Sequence, residues 1–151
     1  MSPSNEPSRR KASGSQPRAP RVLVVEDDQS QRECVVSELE SAGFIVLEAA
    51  SGDEGLEQVR RFTPDVVVLD LMLPEISGFA IARAIRSVER TRDVGIVAVS
   101  GLASEALRME ALAAGCDAFL MKPVRAELVI EQVRSVQARR APPSKRQQQG
   151  D

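Results

Sequence analysis

Short apolar runs recur along this chain at a nearly constant interval, and their spacing constrains the fold more than any other feature. The runs begin near Val22, Phe44, Val66, Ile96 and Ala118, so successive starts lie 22, 22, 30 and 22 residues apart. Each interval is long enough to hold a crossover helix between strands that pair in parallel. Five βα units are therefore the most economical interpretation, and an α/β fold is predicted.

Three of these runs read VLVV, VVVL and IVAV, without alternating polar residues. Continuous apolar strands are typical of parallel sheets that are covered on both faces. Right-handed crossovers then predict a doubly wound, three-layer sandwich. Functional sites in such sheets lie beyond the carboxyl ends of the strands, where the strand order reverses.

Apolar residues at helical spacing predict which helix faces pack on the sheet. The three clearest sets are Val35, Leu39 and Ala42; Ile81, Ile85 and Val88; and Val129, Val133 and Val136. Gly43 is predicted to follow the end of the first helix, and Ser51 and Ser104 are predicted N-caps.

The net charge of −2 conceals an acidic centre between two basic ends. Residues 22–138 carry eleven Lys/Arg and twenty Asp/Glu, a net charge of −9, whereas residues 1–21 carry +4 and residues 139–151 carry +3. The ends are rich in Ser, Pro, Gln and Arg, so they cannot bury enough apolar surface to offset chain entropy. We therefore predict one folded domain at 21–138 between disordered tails at 1–20 and 139–151.

The basic tails have two interpretations, a solvated extension or a tether that binds phosphate groups. They contain no interleaved aromatic residues, and the acidic centre would repel a polyanion. We expect solvated tails and no nucleic-acid binding through the core domain.

The membrane and the oxidising compartments are both disfavoured by the sequence. No apolar stretch approaches the roughly 20 residues that a transmembrane helix needs, and the first residues lack the apolar middle of a secretory signal. Cys34 and Cys116 do not form a CxxC pair, and the chain has no histidine. A cytoplasmic protein without membrane attachment, structural zinc or a disulfide framework is expected.

Ionisable side chains follow three of the predicted strands. The first run ends in Glu26, Asp27 and Asp28, the third is followed by Asp70, and the last leads into Lys122. Crowded carboxylates repel one another, and a hard divalent cation such as Mg²⁺ relieves that repulsion. A neutralised carboxylate can then attack phosphorus, while an ammonium group stabilises the phosphoryl oxygens. The pattern predicts a metal-assisted phosphoryl-transfer site with Asp70 as the nucleophile.

Two neighbouring features refine this hypothesis. Ser100 ends the run IVAVS and supplies a hydroxyl group at the same edge, and Gly101 leaves room for an incoming group. Asp28 has a second interpretation as the cap of the first helix, because Asp commonly caps helices.

Four segments occur together in a recognisable order: VLVVEDD, VVVLDLMLPEISG, IVAVSG and GCDAFLMKP. Over about residues 21–138 they resemble the receiver domain of two-component response regulators. The resemblance implies a flavodoxin-like (βα)5 fold with strand order 2-1-3-4-5. It also implies that Asp70 is the phosphoacceptor, that Asp27 binds Mg²⁺ directly, that Glu26 acts through its water shell and that Met72 contributes its backbone carbonyl.

The resemblance assigns further roles around the phosphoryl group. Ser100 would move toward the phosphoryl group, Lys122 would contact it, and Phe119 would be the aromatic residue that turns inward. Ordinary core packing is the alternative role for Phe119. The Lys122-Pro123 peptide bond is expected to be cis.

The implied function is phosphorelay signalling in a two-component system. A sensor histidine kinase or a histidine phosphotransfer protein would donate the phosphoryl group, and an unidentified downstream protein would read the changed surface. No effector segment follows Gln137, which favours a stand-alone receiver. Any homodimer is expected to use the face formed by the fourth helix, fifth strand and fifth helix, around Leu107, Phe119 and Val129.

We expect a signalling protein that catalyses its own phosphotransfer and a slow self-dephosphorylation, and not a turnover enzyme. By the resemblance, Met72 and Leu102 border the path of the hydrolytic water, and their apolar side chains would exclude water from the phosphoryl group without activating it. Simple surface packing is the alternative role for both residues. A phosphohydrolase with an aspartyl nucleophile would place an acid/base Asp two residues after Asp70, where Met72 stands.

Two other functions are compatible with a fold of this class. A non-phosphorylated interaction module would not need the full set of Glu26, Asp27, Asp70, Ser100 and Lys122. A flavodoxin-like nucleotide binder would need a Gly-rich phosphate loop, and none follows the first strand.

Overall fold

The computed structural model describes residues 18–102 and 104–140, in which strands and helices alternate as predicted. The strands are β1 Arg21–Val25, β2 Ile45–Ala49, β3 Val66–Asp70, β4 Gly95–Ser100 and β5 Ala118–Met121. The helices are α1 Gln29–Ser41, α2 Gly52–Phe62, α3 Gly78–Ser87, α4 Glu105–Ala113 and α5 Ala126–Arg140. Each strand is followed by one helix, so every strand-to-strand connection is a crossover.

The five strands form one parallel sheet in the order β2-β1-β3-β4-β5, which confirms the predicted order. The chain steps outward from β1 to β2 and then crosses back to β3, so the order reverses between β1 and β3. Val25 pairs with Leu69 across this junction. The loops that follow β1 and β3 therefore leave the sheet side by side, at the position where sites form in such folds.

The core consists of two apolar layers, one on each face of the sheet. Leu23, Leu69 and Ile96 point to the face covered by α2, α3 and α4, where Ile81 and Ile85 pack. Alternate residues point to the face covered by α1 and α5, where Val22, Val66 and Val97 meet Leu39 and Val133. Complete burial of such a side chain stabilises the fold by about 1.5–3 kcal/mol. The predicted three-layer sandwich is confirmed.

The helix ends carry the capping residues that the sequence predicts. The Ser51 hydroxyl accepts a hydrogen bond from the Glu54 backbone N–H at 3.2 Å, and Ser104 accepts one from Leu107 at 3.0 Å. Gly43 follows the end of α1 with a φ of +100°, a conformation that favours glycine. Asp28 caps α1 by accepting from the Gln31 backbone N–H at 2.9 Å. These local bonds explain why the helices begin and end where they do.

The predicted apolar faces differ from the observed ones at two helices. Val88 was predicted to face the core, but α3 ends at Ser87 and the Val88 side chain is 44% exposed, so that prediction is wrong. The helical period cannot extend past the last helical residue. In α1 the buried pair is Val36 and Leu39, and Val35 is only partly buried.

The predicted boundary of the C-terminal tail is also wrong for its first two residues. Helix α5 continues through Arg140, whose guanidinium group lies 2.8 Å from the Asp117 carboxylate. This ion pair holds residues that composition alone assigned to a tail. The remainder of both predicted tails, residues 1–17 and 141–151, lies outside the described residues.

Val129 was expected on the surface formed by α4, β5 and α5, but it is buried in the layer between α5 and the sheet. The large apolar side chains that are exposed on these three elements are Met109 and Leu112 of α4, Met121 of β5 and Leu128 of α5. In residues 18–102 and 104–140, no helix has the length and apolar character needed to cross a bilayer.

Candidate functional site

Three carboxylates meet where β1 and β3 end. Glu26 and Asp27 follow β1, and Asp70 is the last residue of β3. One oxygen from each of these carboxylates lies within 4.8 Å of the other two. Glu26 and Asp70 are 7% and 5% exposed, whereas Asp27 is exposed. Such a set of oxygen atoms has the composition of a site for a hard divalent cation.

Lys122 reaches this cluster from the end of β5, as the sequence predicts. Its Nζ lies 2.8 Å from Glu26 Oε1 and 3.0 Å from Asp70 Oδ2. No other cation among the described residues lies within ion-pair distance of the three carboxylates. The cluster therefore keeps a formal excess of two negative charges.

Burial and pairing change the proton affinity of two of these groups. Burial raises the pKa of Glu26, and the hydrogen bonds from Lys122 and from the Asp28 backbone N–H offset only part of that rise. Burial by itself would lower the pKa of Lys122, but the hydrogen bonds and charges of Glu26 and Asp70 outweigh it and raise that pKa. Lys122 is accordingly held as an ammonium group.

Backbone N–H groups orient the two buried carboxylates. Asp28 N donates to Glu26 Oε2 at 3.0 Å, and Met72 N donates to Asp70 Oδ1 at 2.9 Å. In each carboxylate, one oxygen thus accepts a hydrogen bond from a backbone amide and the other accepts one from Lys122. Asp28 itself caps α1 and is not part of the carboxylate cluster, so its second interpretation is confirmed.

Two α1 residues contact the site although the sequence interpretation did not include them. Gln31 Oε1 accepts a hydrogen bond from Lys122 Nζ at 2.8 Å. Arg32 donates to the backbone carbonyl of Glu26 at 2.8 Å and to Glu48 Oε1 at 3.1 Å. Their position in the sequence could have indicated this contact. Helix α1 begins just after β1 ends, so its first turn must lie at the carboxyl edge of the sheet, where the carboxylates are.

Gly78 is a third residue that was missed, and its role is steric. A Cβ atom at this position would lie 2.6 Å from the Asp70 backbone oxygen and 2.6 Å from Leu71 Cα. Glycine therefore lets the first turn of α3 approach the strand end that carries Asp70. The nearby motif ISG contains this glycine, but its spacing does not reveal the contact.

The remaining predicted residues lie outside the carboxylate cluster. Ser100 ends β4 and is buried, and its Oγ accepts from the Leu102 backbone N–H at 3.1 Å. Met72 and Leu102 are 48% and 53% exposed. Phe119 is half-buried against the core beneath α3 and α4. The peptide bond between Lys122 and Pro123 is cis, as predicted.

The chain matches a known family model over most of its length. The model described as the response regulator receiver domain matches residues 22–134. The chain is 32% identical over 117 residues to the DNA-binding dual master transcriptional regulator RpaA of Synechocystis, covering 78% of this chain and 48% of that protein. It is 35% identical over 117 residues to the transcriptional regulatory protein AfsQ1 of Streptomyces coelicolor, covering 78% and 51%. The chain thus spans about half the length of these two relatives.

A shorter relative and the solved structures match over nearly their whole length. The polar-differentiation response regulator DivK of Brucella ovis is 28% identical over 114 residues, which is 76% of this chain and 93% of DivK. The receiver domain of the Francisella response regulator 1452 superimposes with a TM-score of 0.75 at 27% identity, covering 81% of this chain and 99% of that one. The chemotaxis response regulator CheY4 of Vibrio cholerae gives a TM-score of 0.75 at 28% identity, covering 79% and 99%.

Proposed function

The chain belongs to the response regulator receiver family of two-component systems, and from that premise we propose that Asp70 accepts a phosphoryl group with the help of Mg²⁺. The observation that carries the proposal is the cluster of Glu26, Asp27 and Asp70 with Lys122 bonded to two of the three carboxylates. A receiver that had lost phosphorylation would have no need for this buried charge, which is costly to keep. The non-phosphorylated module is therefore the less favoured alternative.

Mg²⁺ suits the atoms that are available. Glu26, Asp27, Asp70 and the Met72 backbone carbonyl would provide oxygen ligands, directly or through water, and Mg²⁺ takes oxygen ligands almost exclusively. The ion would neutralise carboxylate charge and phosphoryl-oxygen charge during transfer. In residues 18–102 and 104–140, no cluster of three His, Cys, Asp or Glu ligands other than this one is present.

Asp70 is the proposed nucleophile. One of its carboxylate oxygens forms a bond to phosphorus as the bond between phosphorus and the donor's histidine nitrogen breaks, and the electron pair of that bond stays with the imidazole. Lys122 Nζ, 3.0 Å from Asp70 Oδ2, is positioned to bond a phosphoryl oxygen. The Ser100 hydroxyl has its proton free for the same purpose, because its oxygen is the acceptor in its bond with Leu102 N.

The phosphorylated state is proposed to act as a signal. A phosphoryl group adds a charge of about −1.5 to −2, which would draw Ser100 and Lys122 and reposition Phe119. Met109 and Leu112 of α4 and Met121 of β5 are exposed apolar side chains that a protein partner or a second receiver would contact. The proposed donor is a sensor histidine kinase or a histidine phosphotransfer protein.

Incubation with phosphoramidate, a small donor with a phosphorus–nitrogen bond, tests the phosphoacceptor. The wild-type chain with Mg²⁺ should gain one phosphoryl group in intact-mass spectra, and Asp70→Asn should gain none because the amide is not a nucleophile. Asp53→Asn, an exposed acid of α2, is the matched control and should behave as wild type. Equal labelling of Asp70→Asn, or full labelling in EDTA, would contradict the proposal.

The lifetime of the phosphoryl group tests the proposed slow self-dephosphorylation. Met72→Asn and Leu102→Glu should shorten it several-fold, because a polar side chain at the fringe can orient a water molecule for attack. Met109→Asn changes another exposed methionine, on α4, and should leave the lifetime unchanged. Loss of phosphate after removal of the donor would be followed by mass spectrometry, and unchanged lifetimes in both fringe variants would reject the idea.

A further inference from the structure

A cavity of about 460 Å³ lies beneath the carboxylate cluster, between the sheet and helices α1 and α5. Its floor is formed by Val24, Val68 and Val99, and its sides by residues of α1 and of the segment that leads into α5. Cys34 and Pro123 line it and are exposed, so the cavity reaches the surface there. The volume lies within the range of small-molecule sites.

The sequence explains why this space is not filled. Every apolar side chain that lines the cavity is a valine, a cysteine or a proline. The opposite face of the sheet packs longer side chains, among them Phe79, Ile81 and Ile85 of α3. Protein interiors are normally packed without voids of this size, so an apolar space that reaches the surface is available to a ligand.

The polar end of the cavity is the carboxylate cluster itself. Glu26, Asp70, Lys122 and Gln31 line this end. Two carboxylates face one ammonium group here, and the exposed Asp27 carboxylate adds a further negative charge within 4.8 Å. Lys122 already donates hydrogen bonds to both Glu26 and Asp70, so an anionic head group would have to displace one of these carboxylates. The charge of the cavity end therefore selects a cation.

We propose that this cavity binds a small cationic amphiphile, a primary alkyl- or arylalkyl-ammonium ion. The hydrocarbon part packs against the valine walls, and the ammonium group bonds the carboxylates of Glu26 and Asp70 beside Lys122. The hydrophobic effect favours burial of the hydrocarbon part against the valine walls. The excess negative charge at the carboxylate end of the cavity attracts the ammonium group.

The same carboxylates are the proposed ligands of Mg²⁺, so the two cations compete. Mg²⁺ would cancel the negative charge that attracts the ammonium group. An amphiphile in the cavity would in turn keep Mg²⁺ and a phosphoryl donor from Asp70. The bound amphiphile would thus hold the receiver unphosphorylated, a form of regulation that rests on the proposed function.

Methyl NMR titration of the full chain with hexylammonium tests the proposal. Without Mg²⁺, hexylammonium should shift the valine methyl signals of Val24, Val68 and Val99, whereas hexanoate should not. Hexanol should bind more weakly than hexylammonium. Saturating Mg²⁺ should raise the apparent Kd for hexylammonium roughly tenfold or more, as expected for loss of one close charge pair.

A substitution at the wall provides the matched comparison. Val35→Phe puts a large side chain into the cavity from a partly buried position of α1, and it should abolish the shifts. Val88→Phe makes the same change at an exposed position outside the cavity and should preserve them.

Three results would overturn the proposal: no shifts with hexylammonium, equal binding of hexanoate or hexanol, or binding that Mg²⁺ does not weaken in a chain that Mg²⁺ alone is shown to bind. The comparison of the three probes uses the wild-type chain, so it does not depend on the folding of a variant. None of these measurements requires phosphorylation, so failure of Asp70 to accept phosphate would leave this result intact.

Discussion

The two cysteines show how the surroundings of a single residue decide its chemistry. Cys34 is exposed on α1, whereas Cys116 is buried in the loop between α4 and β5. Burial raises the pKa of the Cys116 thiol to about 12, and this outweighs the opposing charge of Arg86. Since the thiolate is the reactive form, Cys116 should be inert in the folded protein.

Alkylation with iodoacetamide at mildly alkaline pH measures this difference. Native protein should be labelled at Cys34 and not at Cys116, and both should be labelled in denaturant. Because the folded pKa of Cys116 is raised, stability should also fall as pH rises from the ordinary cysteine pKa toward about 12. Peptide mass mapping gives the sites, and labelling of native Cys116 at the rate of Cys34 would contradict the prediction.

Among the secondary-structure elements, α2 ends in an unfavourable backbone conformation. Thr63, its C-cap residue, has a φ of 46° and a ψ of 65°, in the left-handed region. β-branched residues rarely adopt this conformation, and it costs an L-residue roughly 1–2 kcal/mol. Helix α1 avoids that cost, because its positive-φ residue, which follows the C-cap residue Ala42, is Gly43.

Thr63→Gly should therefore raise the free energy of unfolding by about 1 kcal/mol. Thr63→Ala is the matched control, since it shortens the side chain but keeps the Cβ atom, and its gain should be much smaller. Urea denaturation followed by circular dichroism measures both. A Thr63→Gly variant that is less stable than wild type would show that the threonine side chain contributes more than its backbone conformation costs.

On the scale of the whole molecule, Asp117 joins three elements at the end of the sheet opposite the carboxylate cluster. Its carboxylate accepts hydrogen bonds from Ile96 N of β4 at 2.9 Å, from Arg86 of α3 at 3.0 Å and from Arg140 of α5 at 2.8 Å. The Asp117 side chain is 14% exposed. Burial and the charge of Arg140 lower the pKa of Arg86, and Asp117 counteracts both.

Asp117→Ala should lower the free energy of unfolding by about 3 kcal/mol, because it leaves the mostly buried Arg86 without its anion. Asp93→Ala removes a second carboxylate near Arg140. The Asp93 side chain is 87% exposed and lies 4.0 Å from Arg140, so its effect should be under about 1 kcal/mol. Thermal and urea unfolding of the two variants measures the difference. Equal, small effects would mean that Asp117 does not hold α3 and α5 together.

The alternation of strands and helices along the chain, the caps at Ser51, Ser104 and Gly43, and the polar groups at the strand ends could all be predicted from the sequence. These follow from local periodicity and from strand direction, because parallel strands bring their carboxyl ends to one edge. The sequence therefore predicted that Glu26, Asp70 and Lys122 lie close together. The strand order and the individual roles came from resemblance to the receiver family.

Which side chains touch depends on the three-dimensional packing and could not be predicted from the sequence. Three contacts join elements that no local sequence pattern relates. They are the hydrogen bond between Lys122 and Gln31, the close approach of Gly78 to Asp70, and the ion pair between Asp117 and Arg140. The exposure of Val88 and the burial of Val129 likewise depend on where a helix ends and which face it packs. The cavity beneath the carboxylates depends on the distance between α1, α5 and the sheet. A sequence pattern specifies which residues face inward, but three-dimensional packing alone sets how completely they fill the space.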